Sequence, residues 1–323
     1  MKIKTNDNQE MCPICGATTD DVLATELRRG QGEVYYCGAC RHGFLVPKKD
    51  FNEKEYYSEN YRKEYSHNAE AASTNAFEIF DTYRHYQRDR LLDIFPYLKA
   101  NTSLLEVGAS AGQFLSHIKD KVALVNAIEL DKACCAFMQK ELGIEAESEF
   151  LSASTFAHNS YDIVCAFQVM EHVVDPVKFL QDLIRVTKKG GVIFIEVPNL
   201  HDPLLTVWNI EPYKRFFYHS AHLHYFTDQS LKKVASDAGF APEQINVNFT
   251  QDYNVLNHLN WIMNKAPQAD CHVGLSSINL NGLNQDISIW LTDQMRMLNN
   301  EYIAKLVDSK ATSNLMMVIK NES

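Results

Sequence analysis

The sequence predicts an α/β fold, and three observations carry that expectation. A short apolar run, Leu104 to Val107, leads directly into a glycine turn from Gly108 to Gly112, and text with amphipathic spacing follows. Strand, glycine turn and helix in that order form the entry to a nucleotide-binding α/β unit. Next, "ALVNAIELD" supplies a second strand ending in an acidic residue, Glu129. Finally, "TDQSLKKVASDAGF" reads as a helix capped by Thr227 and stopped by Gly239, and the strand-like runs "EQINVNFTQ" and "SNLMMVIKN" come after it.

Composition sets the outer bounds. The chain has 323 residues, 46% of them hydrophobic, enough for one large domain or two smaller ones with a full core. A net charge of −10 argues against a nucleic-acid partner, because phosphate binding needs a basic face. Residues 1–50 carry seven Lys/Arg and seven Asp/Glu, so the N-terminal segment has no basic surplus either. No apolar run approaches the roughly 18 residues of a membrane helix. The opening MKIKTNDNQEM lacks the apolar stretch of a secretory signal, and the simplest expectation is a cytoplasmic protein.

The first 52 residues read as a zinc-binding ribbon. Cys12 and Cys15 form one C-x-x-C, Cys37 and Cys40 a second, with 21 residues between them. Two such turns present four thiolates, the tetrahedral set that zinc favours. A segment this small has little core of its own, so the metal would supply its folding energy. Four protein ligands leave no open position, which points to a structural ion. The alternative is a redox pair or unliganded thiols. Cys134, Cys135, Cys165 and Cys271 are scattered and read as small apolar residues.

Residues 53–323 read as the second unit. Its connector, "FNEKEYYSENYRKEYSHNAEAA", is polar and tyrosine-rich; Tyr56, Tyr57, Tyr61 and Tyr65 are expected to pack on a neighbour, with a pocket-lining role as the alternative. Apolar residues at helical spacing then predict one helix from Ala76 to Phe95, ended near Pro96. At the glycine turn the backbone can approach a ligand closely, and a following helix would offer free N–H groups. Glu129 is placed to accept two ribose hydroxyls of an adenosine. A dinucleotide site wants G-x-G-x-x-G, and only its first glycine is present: Ser110 and Gln113 occupy the other two places.

The stretch Glu106-Val-Gly108-Ala109-Ser110-Ala-Gly112 resembles the first motif, E-x-G-x-G-x-G, of the class I S-adenosylmethionine-dependent methyltransferases, with serine at the central glycine. "NSYDIVCAFQVMEHVVDPVKFL" and "KKGGVIFIEVPN" are similar to that family's fourth and fifth strands. The resemblance implies a Rossmann-like sheet, mostly parallel with one antiparallel strand near the C-terminus. It implies S-adenosyl-L-methionine as cofactor, held by Glu106, Gly108, Ala109, Ser110, Gly112, Glu129 and Leu130. Phe167 and Gln168, at the end of the fourth strand, are expected against the same molecule. About 60 residues separate the last two strands, too many for a turn, so residues 253–311 are expected to be a helical insertion capping the substrate.

A zinc segment ahead of such a domain resembles methyltransferases of sugar and polysaccharide biosynthesis, including the deoxysugar C-methyltransferases. These carry a Y-H-E-H-L-x-Y-F-S stretch; here His222, Leu223, Tyr225 and Phe226 match, and Ala221 replaces the glutamate. The implied acceptor is a small molecule such as a sugar nucleotide. An acceptor hydroxyl or carbon acid must lose a proton, and histidine is the natural base. His222 is the first choice. In an extended segment His224 would face the same side, so one is expected as base and the other as substrate contact. The alternative is that both pack under the cap; a metal is disfavoured because no carboxylate accompanies them at ligand spacing. His172 is expected near donor and acceptor, or else ordering the loop before Asp175-Pro176, and Glu171 is read as a loop-fixing carboxylate. Two rival functions remain: an RNA methyltransferase reading substrate through its ribbon, and a non-catalytic cofactor-binding scaffold.

Overall fold

The computed structural model describes residues 9–28, 30–46, 54, 56, 75–156 and 158–322. The expectations for Tyr57, Tyr61 and Tyr65, and the boundary at residue 52, lie outside them. The N-terminal part contains β1 (Glu10–Met11), β2 (Thr18–Thr19), β3 (Val22–Leu27), β4 (Gly30–Cys37) and β5 (His42–Leu45). The main part adds β6 (Ser103–Val107), β7 (Leu124–Ile128), β8 (Glu145–Glu147), β9 (Tyr161–Phe167), β10 (Thr187–Pro198), β11 (His224–Tyr225), β12 (Ile245–Thr250) and β13 (Asn314–Lys320). Seven of these form one sheet in the order β12-β13-β10-β9-β6-β7-β8. Strand β13 runs antiparallel to both of its neighbours, and the other pairs are parallel. The α/β expectation with one antiparallel strand near the C-terminus is met. No helix among the described residues is long and apolar enough to cross a membrane.

Parallel strands are buried on both faces, which is why β6, β9 and β10 read as nearly continuous apolar runs. One face packs Leu105, Val164, Ile193, Ile195 and Leu315 against the 176–186 and 228–237 helices; the other packs Leu104, Ile163, Phe194 and Met316. The 228–237 helix starts as expected: Thr227 accepts from the Ser230 N–H, and Ser230 returns the bond to the Thr227 N–H. Such a cap contributes about 1 kcal/mol.

Two helix expectations are corrected. The single helix over 76–95 is two, Ala76–Tyr83 and Arg88–Ile94, with a 3-10 turn between them. Buried Gln87 causes the break: its side-chain amide donates to the Tyr83 carbonyl at 2.9 Å, the bond its own backbone N–H makes in a continuous helix. After Gly112 there is no α-helix, only turns and a 3-10 segment, Leu115–His117. The Ser116 hydroxyl takes the Gln113 carbonyl, and the His117 N–H falls back on Phe114. The insertion, by contrast, is helical as expected, with helices over Val255–Asn264, Cys271–Leu275 and Gln285–Asp308.

The N-terminal part shares a sheet with the main part. Strand β11 pairs with β5, giving the order β11-β5-β4-β3. Fully buried beside this junction, His42 Nε2 lies 3.0 Å from His224 Nδ1. His224 Nε2 lies 3.0 Å from the Val173 carbonyl. A carbonyl only accepts, so His224 Nε2–H donates to Val173 and, in a neutral ring, Nδ1 accepts from His42. Burial lowers His224 to about 4, which keeps that ring neutral.

Replacing His224 by Ala leaves a buried N–H and a buried carbonyl unsatisfied. We expect a loss of about 2–4 kcal/mol in urea unfolding, on the usual cost of orphaned buried groups. Cofactor affinity should stay within about twofold, since His224 belongs to the inter-sheet contact.

Candidate active site

The C-terminal ends of β6 and β9 lie side by side where the strand order reverses, the place where open α/β sheets collect ligands. A cleft of about 1600 Å³ opens there. Glu106, Gly108, Ala109, Ser110, Glu129, Leu130, Phe167 and Gln168 all line it. Gly112 does not: a Cβ there would press on Met138 and Leu142, so its role is close packing against residues 138–142.

Gly108 has φ +78°, and a Cβ on it would stand 2.3 Å from Val169 Cγ2. Only glycine fits. The Gly108 and Ala109 N–H groups bond the Ile128 carbonyl, which ties the turn to β7. Ser110 takes φ +50°, a left-handed conformation that costs a non-glycine residue roughly 1–2 kcal/mol. Its N–H donates to Glu129 Oε2 at 2.7 Å, while Glu129 Oε1 accepts from the Asp131 N–H at 2.9 Å. Each carboxylate oxygen keeps a second lone pair for a ligand. The sequence expectation of a ribose-binding acid is therefore compatible with this geometry.

Glu106 is 4% exposed, and its Oε2 has no hydrogen-bond partner. Burial pushes its carboxyl up to about 8, opposed by nearby Arg90. An orphaned buried carboxylate suits a cationic ligand group. At the end of β9, Phe167 packs edge-on to Phe114, and the Arg90 guanidinium lies 4.7 Å over its ring. Gln168 also has positive φ, +57°. Its amide donates to Glu196 Oε1 and Asn314 Oδ1, and Arg90 bonds the same Glu196 oxygen. Asn314 continues the chain to Asp252. Sequence reading missed Arg90, Glu196, Asn314 and Asp252. Glu196 did leave a signal, a lone carboxylate inside the apolar strand "VIFIEVP"; Arg90 left none.

The histidines separate. His222 sits in a turn, its N–H bonded to the His219 carbonyl, so the premise of an extended segment fails there. It lies beside His172 and Glu171, while His224 turns into the contact with His42. His172 borders the cleft and donates Nδ1–H to the Ala221 carbonyl at 2.9 Å. In a neutral ring that puts the lone pair on Nε2, 3.8 Å from Glu171 Oε1. His222 Nε2 lies 3.9 Å from the same oxygen. Glu171 is 1% exposed, and neither carboxylate oxygen accepts a hydrogen bond. The loop is fixed by its backbone carbonyl instead, which takes the Leu223 and His224 N–H groups. Burial raises the Glu171 carboxyl to about 8, lowers His172 to about 4 and holds His222 well below its ordinary range.

At the N-terminus, Cys12 Sγ lies 3.5 Å from Cys40 Sγ and Cys15 Sγ 3.4 Å from Cys37 Sγ, with all four sulfurs inside 4.8 Å. The residue after each second cysteine, Gly16 and Arg41, is left-handed, so the two turns share one geometry.

A family model described as a methyltransferase domain matches residues 80–245, just over half of the chain. A probable S-adenosylmethionine-dependent methyltransferase of Mycolicibacterium smegmatis is 29% identical over 101 residues, 31% of this chain and 39% of that protein. A ubiquinone biosynthesis O-methyltransferase of Pseudomonas entomophila is 27% identical over 106 residues, 31% of this chain and 46% of that protein. The matches thus span less than half the length of either relative. Among solved structures, a SAM-dependent methyltransferase from Archaeoglobus fulgidus is 18% identical with a TM-score of 0.47, covering 76% of this chain and 98% of that one.

The cleft residues yield a pH test. Burial pushes the Glu106 carboxyl up to about 8, so a cationic ligand held beside it would favour its charged form. S-adenosylmethionine affinity should therefore rise about tenfold as pH climbs from 7 to 9, on the usual strength of a charge-assisted bond. Calorimetry across that range should show the rise flattened in Glu106→Gln.

Proposed function

The chain belongs to the methyltransferase-domain family that residues 80–245 match, and on that premise we propose that it methylates a small oxygen-bearing acceptor in the cleft beside Glu171, His172 and His222. The enzyme is an S-adenosylmethionine-dependent methyltransferase; when bound, the cofactor supplies a methyl group on a positively charged sulfur. Glu106, Gly108, Ala109, Ser110, Glu129, Leu130, Phe167 and Gln168 would hold it. One observation carries the reading of the acceptor side: Val169 packs on the Gly108 turn, and His172, three residues on, borders the same cleft.

The protein's share of the work is alignment, exclusion of water and handling of the acceptor's proton. In this reading His172, which borders the cleft, holds the acceptor, and His222, packed against it with ring centres 4.7 Å apart, accepts that proton. The insertion forms one wall: Tyr253, Asn254, Asn257, Trp261, Arg296 and Asn299 line the cleft, with Gln251 and Asp252 just ahead of it. Trp261 is buried edge-on to Tyr213 and firms this wall, while the amides of Asn254, Asn257 and Asn299 suit a sugar ring or similar polyol. Ten carboxylates and five Lys/Arg line the cleft, which opposes a polyanionic strand and favours the small-molecule reading over RNA. The O-methyltransferase among the relatives agrees with an oxygen acceptor. A sugar nucleotide or glycan precursor remains our first choice, on the sequence resemblance.

We also infer that Cys12, Cys15, Cys37 and Cys40 hold one structural zinc. Thiolates at about 2.3 Å from a tetrahedral zinc lie roughly 3.8 Å apart, close to the spacing present.

Calorimetry should detect S-adenosylmethionine binding, and no heat at millimolar cofactor would sink the enzyme reading. Replacing His222 with Ala should cut turnover about 10²–10⁴-fold, the usual worth of positioned proton transfer, with cofactor affinity nearly unchanged. Elemental analysis should give about one zinc per chain, lost in a Cys12→Ser/Cys37→Ser double variant.

A further inference from the structure

We propose that Glu171, His172 and His222 form a binding site for one divalent transition-metal cation at the border of the cleft, separate from the four-cysteine site. The inference rests on the reading that this cluster faces the acceptor, and it changes the agent there from an imidazole to an ion.

The three donor atoms come from two distant segments, yet all lie within 4.8 Å of one another. Glu171 Oε1 is 3.8 Å from His172 Nε2 and 3.9 Å from His222 Nε2. Donors at about 2.1 Å around one ion lie roughly 3.0–3.5 Å apart, so small rotations close the site. Leaving it open is costly: a carboxylate 1% exposed with no hydrogen bond to either oxygen is among the least favourable groups a core can carry. His172 is arranged as metal-bound histidines are, one nitrogen donating to a backbone carbonyl, here Ala221, and the other turned toward the carboxylate. The backbone is braced as well, since the Glu171 carbonyl takes the Leu223 and His224 N–H groups and so ties both ligand segments together.

Two imidazoles and one carboxylate suit manganese, iron or zinc better than magnesium or calcium, which prefer all-oxygen sets. Three protein ligands leave positions for oxygen atoms of the acceptor. A hydroxyl bound there would release its proton to water at a lower pH than in solution. The sequence had argued against a metal because no carboxylate accompanies the histidines at ligand spacing. In the fold the carboxylate arrives from the loop after β9.

Mn2+ is the probe of choice, because thiolate sites favour softer ions. Titrating the full chain with Mn2+ and following the free ion by electron paramagnetic resonance should show one ion bound per chain. Glu171→Gln and His222→Gln should each weaken binding at least tenfold, with zinc content, thermal midpoint and S-adenosylmethionine affinity held near wild type as controls for folding. Absence of Mn2+ binding up to millimolar concentration overturns the proposal, as does equal binding by wild type and both folded variants. The titration needs no cofactor, so its failure stands apart from failure of the enzyme reading. If Mn2+ does not bind while His222→Ala still abolishes turnover, the imidazole base stands and the cation is excluded.

Discussion

The carbonyl of Glu171 accepts two N–H groups, from Leu223 and His224, and much of the molecule is organised around that clasp. It holds the loop after β9 against the histidine-rich stretch. The same stretch continues as β11, which pairs with β5 of the N-terminal sheet, and the Leu223 carbonyl takes the Leu45 N–H. The cysteine-bearing segment, the histidines and the loop that ends the central strand are thus joined by backbone bonds. With the carbonyl bearing the structural load, the Glu171 side chain is left over in a site where an unused carboxylate is expensive.

The cleft at the ends of β6 and β9 obeys a different constraint, the close approach of two turns. Gly108 leaves room for Val169 and for nothing larger, so the loops after β6 and β9 meet at a fixed distance. Ser110 stays left-handed without being glycine because its N–H finds Glu129, a charged acceptor that offsets the backbone cost. Electrostatics reinforce the arrangement. Carboxylates outnumber cations along the cleft, and Arg90 is committed to Glu196 while lying over Phe167. Such a surface favours the positively charged sulfur of S-adenosylmethionine.

Much of this was legible in the sequence. The first strand and its glycine turn, the acidic residue closing each early strand, the Thr227 cap and the paired cysteines are local features, set by residues a few positions apart. The failures were also local in cause. Gln87 and Ser116 each place a side chain where a helix needs a backbone bond, a competition that apolar spacing does not register. His222 and His224 were assumed to lie in one extended segment, but a turn at His219–His222 sends them to different neighbours.

Sequence alone thus determined the fold class, the glycine turn at Gly108 with the acid at Glu129, and the four thiols, since each depends on short-range spacing and chain order. Tertiary structure alone decided which histidine meets which partner. Residue 42 reaches 224 and residue 171 reaches 222 only after the sheets assemble. Burial, which shifts Glu106, Glu171 and His172 away from their ordinary titration, is a property of the packed chain, because desolvation depends on every neighbour that excludes water.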